Sequence, residues 1–311
     1  MPTPWPQIPF GAWRETCDAL HLYAQVLGKY RLAHTPWLNH SWHATLYVTA
    51  SGLTTSPVPD GPGAIDLTLD LVEHTVVGRA SDGRSARFNL GPGSVADFHQ
   101  RTLELVRWIG GTPTLDPHPN EVPGAIPFPE DQAPRPYDSD AVRRFFDALV
   151  QVDRVFKQFR TSFLGKSTPV HLFWGSFDLA VTRFSGRPAP RHPGGVPGLP
   201  DAVTREAYSH EVSSAGFWPG GMGVDEAAFY SYAYPTPEGF GSARVAPADA
   251  RFDPKLGEFI LPYEAVRTAK DPEATLLDFL RTTYDAAATL GRWDRVALEC
   301  PPGRPGHPRQ V

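Results

Sequence analysis

The sequence predicts an α+β fold made of two similar α-β(4)-α halves, each an antiparallel sheet covered by helices. Three observations predict it. Apolar residues recur every three or four positions in a few long segments and every two in several short ones, so both helices and strands form. Ser81-Asp82-Gly83 lies between two alternating arms, a hairpin signal that makes the pairing antiparallel. The order helix, Gly-Lys, strand, further strands, helix also occurs twice. Gly28-Lys29 precedes His43, and Gly165-Lys166 precedes His171. This suggests an internal duplication; two unrelated α+β halves with a coincidental Gly-Lys would give the same pattern.

Residues 1–11 are proline-rich and form an extended arm. Residues 12–111 are the N-terminal half. Trp13, Thr16, Leu20, Ala24 and Leu27 mark a helix that ends near Gly28-Lys29. From His43 the period is two, with Ala44, Leu46 and Val48 on one side of a strand. Ile65, Leu67, Leu69 and Leu71 alternate in the next strand, and segments 74–80 and 84–90 are the hairpin arms. Ser94 caps a second helix, which Gly110-Gly111 stops. Residues 112–137 carry no period and are the connector. Residues 138–300 are the C-terminal half, opening on a helix with Val142, Phe145, Leu149, Val152, Phe156 and Phe159 on one stripe. Strands are expected at 170–184, 207–218, 227–234 and 257–262, and a last helix starts at Asp271-Pro272. The Gly/Pro loop at 186–200 is the expected lid. Residues 301–311 are the expected disordered tail.

Composition narrows the function. The chain has 311 residues, 28 Gly and 34 Pro, with 18 Phe, 10 Tyr and 8 Trp to build a core. A net charge of −5 with no basic block argues against nucleic acid and anionic membranes as partners. No apolar run reaches the roughly 18 residues of a membrane span, and the N-terminus lacks a secretory pattern. Cys17 and Cys300 are too few for a disulfide framework. The expectation is a cytoplasmic protein with free thiols and a small molecule as its partner. The oligomeric state stays open.

Several segments resemble an uncharacterised bacterial family, a conserved domain of unknown function. They are Asn39-His40-Ser41-Trp42-His43, Pro169 through Arg187 with its core His171-Leu172-Phe173-Trp174-Gly175-Ser176-Phe177-Asp178, and Ser209-His210-Glu211-Val212-Ser213-Ser214-Ala215-Gly216-Phe217-Trp218. The resemblance covers roughly residues 5–300 and implies no activity, so it assigns no role to any residue.

The residues themselves suggest a site between the halves. His43, His171, Asp178 and His210 are the expected ligands of a divalent metal (Zn, Fe or Mn), since imidazole and carboxylate suit those ions. His210, Glu211 and Tyr232 are the candidate catalytic groups. Lys29, Arg31 and Arg183 would anchor an acidic substrate, with Trp174 and Trp218 as apolar walls. His210 and Glu211 are adjacent in a strand, so at most one of them reaches a given site. The reading is an enzyme acting on a small acidic metabolite through that metal, by hydrolysis first and oxidation second. Non-catalytic ligand binding and metal-free His/carboxylate acid–base catalysis are the alternatives.

Overall fold

In the computed structural model, which describes residues 5–221 and 223–309, helix α1 (Phe10–His34) runs through the middle of the molecule. Every residue from Ala19 to Tyr30 is buried, including the polar His21, Gln25 and Lys29. The helix passes straight through Gly28-Lys29, where the sequence suggested an end. Gly28 is needed there for space: a Cβ would lie 2.1 Å from the Trp174 indole. The indole packs directly on the helix backbone.

The mixed α+β class holds, and the described residues form two antiparallel sheets of six strands each, two more per half than expected. The first contains β1 (Tyr47–Val48), β2 (Gly52–Thr54), β3 (Val58–Asp60), β4 (Gly63–Asp70), β5 (Thr75–Ala80) and β6 (Ser85–Asn89). Its order is β1-β2-β4-β5-β6, with β3 also on β4. The second contains β7 (His171–Phe173), β8 (Asp178–Pro188), β9 (His210–Trp218), β10 (Ala228–Tyr234), β11 (Arg251–Asp253) and β12 (Glu258–Pro262), in the order β11-β12-β10-β9-β8-β7. Leu46 and Leu172 exchange backbone hydrogen bonds of 2.9 and 2.8 Å, which tie the two sheets together.

Each half keeps the expected order of helix, strands, helix. In the first, α2 (Val95–Trp108) follows β6, capped by Ser94 accepting from the Asp97 N–H. In the second, α3 (Ser139–Arg160) leads and α6 (Pro272–Leu290) follows, capped by Asp138 and Asp271. Both pack on one face of the second sheet. The short helices are α4 (Asp201–Ala207), α5 (Tyr263–Arg267) and α7 (Arg295–Leu298). One apolar cluster runs from Trp5 to Trp293 through both halves.

Three local differences have physical reasons. The period-two stretch from His43 pairs as a strand only at Tyr47–Val48. The carbonyls of His43 and Thr45 are taken by the Arg31 guanidinium at 2.7 and 2.5 Å, and that of Ala44 by Trp174 Nε1 at 2.6 Å. Side chains thus occupy the acceptors a neighbouring strand would use. The expected strand at 170–184 is interrupted by a turn at 174–177, where Phe177 has φ +56°. The C-terminal segment is tied down, the Gly303 N–H donating to Thr161 Oγ1 at 2.9 Å. Residues 1–4, 310 and 311 lie outside the described residues. Cys17 and Cys300 are free. Among the described residues no helix is long and apolar enough to cross a membrane.

Candidate functional site

Strand alternation builds the site. In β8, Asp178, Ala180, Thr182 and Phe184 line a cavity of about 660 Å³ on the sheet face opposite α3 and α6. In β9, Val212, Ser214 and Trp218 do so, and in β10, Tyr230 and Tyr232. Successive residues of a strand face opposite sides, so the odd-numbered neighbours fall into the helix-packed core. α4 and the loop before it cover the cavity through Val196, Leu199, Val203 and Thr204. The segment expected to be a lid therefore does form part of its roof.

α1 supplies the opposite wall. His21, Gln25 and Lys29 are spaced four apart and form one polar stripe. His21 Nε2 lies 2.9 Å from the carbonyls of both Trp174 and Gly175 and holds the β7–β8 turn. Gln25 grips the backbone of Asn120, accepting from its N–H at 2.8 Å and donating to its carbonyl at 2.9 Å. Lys29 Nζ is 3.4 Å from Asp116 Oδ2 and lies 5.7 Å from the Trp174 ring centroid. Burial lowers its pKa. Residues 116–121, expected to be plain connector, are thereby pressed into the cavity wall.

Besides Asp116, which pairs with Lys29, three carboxylates face this cavity. Asp178 is 3 % exposed; its Oδ1 accepts from Ser176 Oγ at 2.6 Å and its Oδ2 from the Tyr230 hydroxyl. Burial raises its pKa and also that of the Tyr230 phenol. Glu121 has φ +60° and fits where Gly175 leaves room, since a Cβ there would stand 2.0 Å from Glu121 Oε1. Burial, then the charge of Asp178, pushes Glu121 up to about 7. The same causes, with Asp253 added, push Glu258 up to about 8. Glu258 Oε2 is buried with no hydrogen-bond partner. Two glutamates thus sit where they hold or release a proton near neutral pH.

A second group comes from the 3₁₀ turn Asn39–Ser41, where His40 and Ser41 have φ +59° and +57°. His40 Nδ1 donates to the Ala207 carbonyl at 2.5 Å, and its backbone N–H donates to the Glu206 carboxylate at 2.8 Å. That fixes the proton on Nδ1 and leaves Nε2 an acceptor, buried and without a partner. Burial, then Lys166, lowers the pKa of His40, so the ring is neutral at pH 7. Ser41 Oγ, Trp42 Nε1 and Thr204 Oγ1, also from residues of the wall, are likewise buried and unpartnered.

Of the residues singled out in the sequence, Lys29, Trp174, Asp178, Trp218 and Tyr232 line the cavity. The Tyr232 hydroxyl is 2.9 Å from that of Tyr208. The others have different places. Arg31 clamps the chain between the 3₁₀ turn and β1. Arg183 lies on the helix side of β8, bonded to the Phe159 carbonyl and Ser162 Oγ and stacked on Phe159 at 3.6 Å. Glu211 pairs with Arg187 at 2.7 Å on that same side of the sheet. His210 opens β9 opposite Pro188, its Nδ1 3.1 Å from Ser209 Oγ, outside the cavity wall.

The expected metal ligands do not come together. His43 Nδ1 is 3.1 Å from the Leu38 N–H. His171 is fully buried, edge-on to Phe173 at 4.6 Å, and burial with the nearby Arg31 and Arg160 lowers its pKa to about 3. Among the described residues no three His, Cys, Asp or Glu group so as to hold a metal ion, and this includes the carboxylates of the cavity. The residues therefore do not fit the expected metal.

Glu121 and Glu258 are absent from the expected site residues, and His40 appears in the sequence pattern only within the segment Asn39–His43. A single signal was available, the alternation that places Tyr230 and Tyr232 on one face. A family model described as a family of unknown function (DUF5996) matches residues 5–300. The chain belongs to DUF5996. The match includes every element that shapes the cavity, from α1 to β12. Searches of curated proteins and of solved structures found no match. What is known of DUF5996 supplies no reaction, so the chemistry rests on the side chains.

Proposed function

We propose that the protein is an enzyme acting on one small organic molecule by acid–base chemistry carried by carboxylates, with no metal in the proton-transfer steps. One observation carries this reading. Glu121 and Glu258, held by burial near 7 and 8, flank Asp178 in a single aromatic-walled cavity. A group that titrates near the working pH is the most effective proton carrier. The volume of about 660 Å³ suits a metabolite-sized ligand.

The roles follow from protonation. Glu258 is the proton donor, since more than half of it stays protonated at pH 7. Glu121 titrates closest to neutrality and passes protons in either direction. Asp178, held by Ser176 and Tyr230, orients the ligand and keeps both glutamates raised. His40 Nε2 accepts a hydrogen bond from the ligand. α4 and its preceding loop exclude water.

The test is a thermal-shift screen of metabolite-sized compounds, each hit followed by proton NMR for conversion. The reading expects a hit that wild-type protein converts, with and without chelator, and that Glu258→Gln binds without converting. Conversion at an unchanged rate in both Glu121→Gln and Glu258→Gln would overturn it. Hits that bind and are never converted would favour the non-catalytic binder.

A further inference from the structure

We propose that the ligand of this cavity is an organic cation, a primary ammonium or guanidinium carried on an apolar body. The inference rests on the reading of the cavity as the working site and names the class of molecule that enters it.

The charge of the wall is the first argument. Its ionisable residues are Lys29, His40, Asp116, Glu121, Asp178, Tyr208, Tyr230, Tyr232 and Glu258. Lys29 is matched by Asp116. Among the described residues, Glu121, Asp178 and Glu258 have no Lys, Arg or His within ion-pair distance. Among the described residues, three carboxylates of the wall thus share one cavity with no counter-charge of their own. A carboxylate or phosphate ligand would add a further like charge, at a cost that grows as the local dielectric falls. A cation supplies the counter-charge that the wall lacks.

Unmet hydrogen-bonding capacity is the second argument and is independent of charge. Glu258 Oε2 and His40 Nε2 are buried without partners, and both accept when their groups are unprotonated. His40 is 5 % exposed. The Ser41 and Thr204 hydroxyls serve either role, and the Trp42 indole is the one fixed donor among the unpartnered atoms of the wall. An ammonium brings three donors and a guanidinium five.

The aromatic wall is the third. Trp218 lies 4.4 Å from Tyr230, and Tyr232 stacks on Tyr230 at 6.0 Å, beside the Asp178 carboxylate that Tyr230 holds. Ring faces attract cations. The protein already uses wall rings in this way, with Lys29 near Trp174 and Lys166 Nζ 4.8 Å from the Phe184 centroid.

The experiment compares tryptamine, tryptophol and indolepropionate, which carry ammonium, hydroxyl and carboxylate on the same ring and ethylene chain. Thermal shift of the full-length protein is measured near pH 7.5 at millimolar ligand. The expected result is a saturable rise in Tm with tryptamine, a smaller one with tryptophol and none with indolepropionate. Tryptamine binding should weaken about tenfold in Glu258→Gln and also weaken in Trp218→Leu, with circular dichroism unchanged in both. A larger shift with indolepropionate than with tryptamine overturns the inference while leaving the cavity as the working site. No shift with any of the three overturns it as well, and the compound screen then judges the wider reading on its own.

Discussion

Gln25 grips Asn120 through both backbone groups, accepting from its N–H at 2.8 Å and donating to its carbonyl at 2.9 Å. This contact joins the central helix to the irregular segment that carries Glu121, so it decides whether that carboxylate reaches the cavity. Gln25→Leu keeps the volume and removes both bonds. The Asn120 groups are then left without partners, at a cost of about 1–3 kcal/mol. The urea midpoint should fall accordingly, and tryptamine affinity should fall with it because Glu121 is no longer held.

Gly28 reverses a usual rule. Gly→Ala inside a helix ordinarily stabilises by about 1 kcal/mol. Here the new Cβ would stand 2.1 Å from the Trp174 indole, so the ring must move and lose its bond to the Ala44 carbonyl. Gly28→Ala should destabilise by about 2 kcal/mol or more. A lower Tm with altered tryptophan fluorescence checks this.

Stability should fall as pH rises through neutrality. Glu121 and Glu258 are raised from 4.5 to about 7 and about 8, so the folded state holds protons that the unfolded chain releases. Their contribution is complete below about pH 4.5 and is lost as pH rises through the folded values. Between about pH 6 and pH 9 the loss is on the order of 2 kcal/mol for Glu258 and 1 kcal/mol for Glu121. Glu258→Gln should flatten the decline in a series of urea melts across that range.

Arg183 separates structure from site. It is buried on the helix side of β8, stacked on Phe159 and Tyr284. Arg183→Met should lower stability by about 2–4 kcal/mol through the lost hydrogen bonds and packing. At a temperature where the variant is still folded, tryptamine affinity should match wild type. An equal loss of tryptamine affinity in Glu258→Gln and Arg183→Met would contradict this division.

What was legible follows from local physics. The stripe Val142 to Phe159, the Asp-Gly hairpin at 82–83 and the helix starts at Ser94 and Asp271 each depend on residues a few positions apart, and each is found. The exclusion of Arg183 was also within reach. Asp178 and Arg183 are five apart in one strand and so face opposite sides, as His210 and Glu211 were expected to. Glu121 was out of reach: it lies in a proline-rich segment without period, and its position depends on Gln25, Gly175 and Gly198 from distant parts of the chain. The metal set failed because residue type alone grouped His43 and His171 with Asp178, whereas the chain turns at 174–177 separate their environments.

The most direct test of the central claim is a carbon-13 NMR titration of the glutamate side-chain carboxyls, with Glu121→Gln and Glu258→Gln supplying the assignments. The account predicts two resonances with midpoints near 7 and near 8, each missing from its own variant. Titration of both groups in the ordinary range around 4–5 would contradict it.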